Sequence, residues 1–144
     1  MKKTLLLILI FTSASFLKAQ EVADAIIGKY TAADNRVIIE ITKRDDKYYG
    51  KFLWTKTEGI LDLNNPIETE RTKPLKGMEF LKDFVFDGKK IWSKGTIYDP
   101  ENGITYKCKI KRKKSNDLHV RGFISFSLFG RSIIFSRVTG SVAQ

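Results

Sequence analysis

The sequence predicts an all-β protein, a single antiparallel barrel of eight strands preceded by a cleavable export segment. Three observations lead there. Apolar residues recur at every second position through most of residues 27–139. Turn-forming residues interrupt that alternation about every ten residues. No stretch beyond residue 27 keeps a helical period, and only residues 21–27 suggest a short helical turn.

The first strand is expected near residues 27–32, opening at Gly28. The second, near 36–43, sets Val37, Ile39 and Ile41 against Ile38, Glu40 and Thr42 after the turn residues Asp34 and Asn35. Asp45-Asp46 leads into the third, near 47–54, where Tyr48, Gly50, Phe52 and Trp54 alternate with Tyr49, Lys51 and Leu53. The fourth and fifth, near 78–86 and 89–98, flank Asp87-Gly88. The sixth, near 103–112, places Ile104, Tyr106, Cys108 and Ile110 opposite Thr105, Lys107, Lys109 and Lys111. In the seventh, near 117–126, Leu118, Val120, Gly122 and Ile124 alternate with His119, Arg121, Phe123 and Ser125. The eighth follows Gly130, near 131–139. Such alternation is half-buried sheet with one wet face. Eight short strands with no helix to cover an edge favour closure into a barrel.

Thr55 to Pro74 breaks the rhythm with twenty residues lacking a strand pattern. Ile60, Leu61, Leu63 and Ile67 supply apolar contacts and Asn64-Asn65-Pro66 a turn, so an ordered flap across one barrel end is expected, as a ligand lid or as a plain structural cap.

The first nineteen residues read as a signal peptide: Met1-Lys2-Lys3, then the apolar run Leu5 to Phe11, then small residues, closing at Ala19-Gln20. The run is too short to span a bilayer. Residues 20–144 are then one barrel domain, exported to the periplasm or secreted, without a transmembrane span and expected as a monomer. Removing Lys2, Lys3 and Lys18 lowers the net charge from +10 to +7. That balance favours anionic partners; for an exported chain these are envelope surfaces rather than nucleic acid. Lys107, Lys109, Lys111, Arg112, Lys113 and Lys114 concentrate it in one strand and hairpin, as a solvated, guarded edge or as a surface for anions.

Cys108 is the sole cysteine, so an intramolecular disulfide and a cysteine-based zinc site are both excluded. His119 is the sole histidine, and no nucleophile–base pair or metal spacing accompanies it. The residues offer no metal site and no cofactor site, and they lean away from an enzyme. Asp62 and Asn65, polar groups on the long loop, are candidates to face a ligand; capping of the loop's own backbone explains them equally well. Arg121 is a further candidate, pointing inward only if the Leu118 and Val120 face packs outward, and merely solvated otherwise. Asp99, Asn102 and Gly103 carry turn chemistry around Pro100 and are read as structural.

The motif W-x-x-G-x-I-Y-D-P-x-N-G-x-T-Y at Trp92–Tyr106, with D-x-x-N-P at Asp62–Pro66, P-L-x-G at Pro74–Gly77 and L-x-V-R-G-F…G-R at Leu118–Arg131, resembles a family of exported bacterial proteins known as domain of unknown function 2147. The resemblance covers roughly residues 28–138. It implies a small lipocalin-like β-barrel and no established activity. Trp92 and Tyr106, the aromatics bounding the longest motif, join the ligand-binding candidates. Such barrels open with G-x-W and close with an arginine over that tryptophan. This chain has Gly28-Lys29-Tyr30 and Phe135-Ser136-Arg137 instead, so the resemblance implies that Arg137 covers Tyr30 at one barrel end, and that Tyr30→Trp would be neutral or stabilising. Two functions stay open: a binder or carrier of a small amphipathic or apolar ligand in the envelope, and a packed barrel acting as an interaction module.

Overall fold

The computed structural model describes residues 18–124 and 130–139. Most of the expected signal segment lies outside them, as does the end of the expected seventh strand. Residues 18–24 are helical. The chain then forms eight strands: β1 Gly28–Ala32, β2 Val37–Arg44, β3 Lys47–Thr55, β4 Glu79–Phe86, β5 Ile91–Asp99, β6 Ile104–Arg112, β7 Leu118–Phe123 and β8 Gly130–Arg137. Each pairs antiparallel with the next, and β8 returns to β1, closing the barrel. The alternation seen in the sequence becomes an inner face of buried Ile39, Ile41, Tyr48, Trp92, Cys108, Ile110, Leu118 and Val120. Among the described residues no helix is long and apolar enough to cross a membrane.

The turns follow their side chains. Asp45 and Asp46 take positive φ values of 50° and 58°, which shape the two-residue β2–β3 hairpin. Asp87 Oδ1 accepts the amides of Lys89, Lys90 and Ile91 between β4 and β5. Those backbone N–H groups, Ile91 foremost, hold its carboxyl below the usual range.

Register shifts between β2 and β3, β3 and β4, and β5 and β6 depart from simple alternation. In β3, Ile38 pairs with Trp54 and Ile39 with Phe52, so Leu53 is an extra residue. The expected inward set of Tyr48, Gly50, Phe52 and Trp54 therefore stops at Phe52. Trp54 turns outward, 39% exposed, and Thr55 is buried in its stead. Asp83 in β4 and Lys94 in β5 adopt φ of 62° and 64° beside breaks in the strand registers.

One end of the barrel is shut by the segment just before β1. Trp92 Nε1 donates to Ala23 O at 3.1 Å, Tyr30 Oη to Ile26 O at 2.9 Å and Tyr48 Oη to Asp24 Oδ1. Ala23 and Ile26 are buried against the core. Residues 20–27 thus form a plug, fastened by the polar tips of three aromatic rings whose bodies fill the interior.

Candidate ligand-binding site

At the plugged end, Arg137 lies 4.8 Å from the Tyr30 ring centroid and donates to Ile27 O at 3.1 Å, to Ala25 O at 2.7 Å and to Tyr30 Oη. The strand register sets Tyr30 opposite Arg137. Burial pushes the Tyr30 hydroxyl up, against the opposing pull of the Arg137 charge. Gly28 makes room: a Cβ there, at φ +143°, would sit 2.5 Å from Arg137 Nη1. Asp24 stands at the rim between Tyr48, Gln20 and Lys43. Burial raises its carboxyl, but the hydrogen bonds from Tyr48 and Gln20 and the Lys43 ammonium outweigh that and leave it below the usual carboxylate range. Trp92, buried and spent on Ala23 O, belongs to this closure.

Asp62 and Asn65 come together on the flap. Asp62 is 1% exposed and accepts Asn65 Nδ2 at 2.6 Å and Tyr98 Oη at 2.7 Å. Burial and the Asp62 carboxylate push the Tyr98 hydroxyl up to about 12. Tyr98 follows inward Ile97 and so faces the outer side of β5. Asn64 Nδ2 bonds the carbonyls of Pro100 and Glu101. The flap is therefore ordered and stands at the unplugged end. Its tip is fastened to the flank of β5 and the β5–β6 turn. That turn is built by Asp99, which accepts Glu101 N and Gly103 N, and by Asn102, which bonds Asp99, Tyr106 Oη and Ile104 N. Gly103, at φ +70°, would place a Cβ 1.9 Å from Asn64 O, so the flap's seat requires glycine.

Arg121 pairs with Lys109 on one side and Ser132 on the other, and donates to Ser132 Oγ at 3.1 Å. It lies on the outer wall, because Leu118 and Val120 fill the interior. Cys108 is buried, its thiol pushed up to about 12 by desolvation. His119 is half-buried on the outer face, opposite Lys111. Among the described residues no three His, Cys, Asp or Glu side chains group as metal ligands.

The five sequence candidates thus occupy four places: Trp92 at the plug, Asp62 with Asn65 on the flap, Arg121 outside, and Tyr106 on the inner wall. Tyr106 has company that sequence reasoning passed over. Directly opposed residues share a face, and Val120 pairs with Ile133, Gly122 with Arg131. Ile133 is on the lining face yet 41% exposed, and Ile104, two residues before Tyr106 on the same face, is 49% exposed. β1 stops at Ala32, whereas β8 begins at Gly130, so β8 reaches β1 only through Phe135, Ser136 and Arg137. Among the described residues, the interior is packed at the plugged end, and apolar wall is left uncovered at the other. Arg131, Ile133 and Phe135 alternate in phase along β8, and that is the signal by which the wall was readable.

Residues 28–137 match the model of a family described as an uncharacterized protein conserved in bacteria, DUF2147. The chain belongs to the DUF2147 family. A solved structure described as protein HP1028 from the human pathogen Helicobacter pylori, of the lipocalin family, is similar with a TM-score of 0.72 at 21% identity, over 79% of this chain and 83% of that one. At that identity the likeness shows the fold alone. No curated protein matches. This DUF2147 chain is therefore a closed, eight-stranded, lipocalin-like barrel whose function rests on its own geometry.

Proposed function

We propose that this DUF2147 protein is an exported binder of a small amphipathic molecule, held in the open half of the barrel. One observation carries the reading. The inner face that is sealed at Leu118 and Val120 continues as Ile133 and Ile104, 41% and 49% exposed, so the fold leaves lining surface that a ligand's apolar part would cover. Arg131, on the same face one step nearer the opening, supplies a charge for a polar head. Titration with the anionic amphiphile 8-anilinonaphthalene-1-sulfonate tests it. We expect saturable binding that Ile133→Trp abolishes by filling the wall and that Ile134→Trp, on the outer face, leaves intact. Equal behaviour of the two variants would defeat the proposal. Export is tested separately by sequencing the N-terminus of envelope-purified protein, with Gln20 the expected first residue.

A second reading is favoured by the outer wall. Lys107, Lys109 and Lys111 alternate along the outer side of β6, and Arg121 stands in register beside Lys109, so cationic side chains gather on one wall. Docking on anionic lipid headgroups fits this arrangement. Cosedimentation with phosphatidylglycerol vesicles, lost at high salt and in a Lys107→Glu/Lys109→Glu/Lys111→Glu variant, is the expected result. Binding indifferent to both changes excludes it.

A further inference from the structure

The bulge that turns Trp54 out of the barrel also makes a second concavity, outside the barrel. A pocket of about 280 Å³ lies at the base of the flap, between Trp54, Glu58, Ile60, Pro74 and Lys76. Its walls are held by backbone: Leu75 N donates to Ile60 O at 2.8 Å, Asp62 N to Lys73 O at 3.0 Å, and Leu61 bridges Pro74. Trp54 and Ile60 remain 39% and 38% exposed there. Glu58 and Lys76 line the same pocket, yet among the described residues neither is in an ion pair, with the other or with a third group. Trp54 Nε1 likewise has no acceptor among them.

That chemistry selects its ligand by elimination. A simple anion meets Glu58, and a simple cation meets Lys76. A purely apolar molecule would strip water from both charges and return nothing. We propose that the pocket binds a small zwitterion with an apolar body, an amino acid or dipeptide. Its ammonium sits on Glu58, its carboxylate on Lys76, and its apolar part against Trp54 and Ile60. This site is independent of the one inside the barrel.

The test is a titration of the full chain with the dipeptide Ala-Phe, read by tryptophan fluorescence. Trp92 is buried at the plugged end, so the responding indole is Trp54, and Trp54→Phe should silence the signal. We expect saturation. Glu58→Gln and Lys76→Met, changes on an exposed loop, should each weaken it about tenfold. Acetylating and amidating the dipeptide, which removes both charges and keeps the apolar body, should weaken it at least as much. Three results overturn the proposal: no saturation by Ala-Phe, a capped dipeptide that binds as tightly, or charge variants that bind unchanged. Glucose that saturates the same signal in both charge variants would assign the pocket to neutral polyols and overturn it too.

Discussion

Arg137 shows how much one side chain can hold. Its guanidinium spans two carbonyls of the plug and the face and hydroxyl of Tyr30, so it ties the last strand to the segment before the first. Arg137→Ala leaves those carbonyls short of a donor and uncovers a ring, at a cost of about 1–3 kcal/mol in chemical denaturation. Arg137→Lys keeps the charge but loses the planar fork, and should also destabilise. An unchanged midpoint for the alanine variant would remove the clasp from the account. Tyr30 is another matter. The family pattern points to a tryptophan here, yet Tyr30 is fully buried and its hydroxyl is bonded to Ile26 O. An indole must displace neighbours and abandon that carbonyl, so Tyr30→Trp should destabilise by about 1–3 kcal/mol, reversing the expectation from the resemblance alone.

Among the elements, the plug has a hold that depends on pH. Asp24 has a folded-state pKa below its unfolded value, so its contribution is present above the usual carboxylate pKa of about 3.9 and is lost as pH falls through the folded value. Acid should therefore release residues 20–27 and wet Trp92, seen as a red shift of tryptophan emission below about pH 4. In Asp24→Asn that step should vanish; its persistence would place the acid response elsewhere. The strands were legible because period two records burial directly, and Val37, Ile39 and Ile41 need no partner to be read. The bulges were not. Whether Leu53 is an extra residue depends on β2 across the ladder, so the outward turn of Trp54 is a property of the pair. The plug was hidden for a related reason: Ala23 and Asp24 carry no period, and their value is set by Trp92 and Tyr48, far along the chain. Candidate ligand residues chosen by type were scattered for the same cause, since only register shows which face Arg121 and Arg131 take.

At the scale of the molecule, the barrel is unevenly sewn. β5 and β6 share seven registered pairs, whereas β1 and β8 share three, Tyr30 with Arg137, Thr31 with Ser136 and Ala32 with Phe135. Local opening should therefore begin at the β1–β8 seam. In native-state hydrogen exchange we expect amides of β1 and β8 to exchange through sub-global opening, while those of β5 and β6 wait for global unfolding. Uniform protection around the barrel would contradict this. The open lining lies beside the same short seam, so the wall proposed to take a ligand is also the part of the barrel with the least backbone support.

The seam also sets an order in time. Seven of the eight strand pairings join neighbours along the chain, but Tyr30 and Arg137 are 107 residues apart. The entropy of closing so long a loop must be met before the pairing returns anything, so hairpins form first and the ring is closed last. A chain made from its N-terminus has its plug and seven strands in hand while still lacking Arg137. Until then it is a curled ribbon with two bare edges. The closed barrel belongs only to the finished chain.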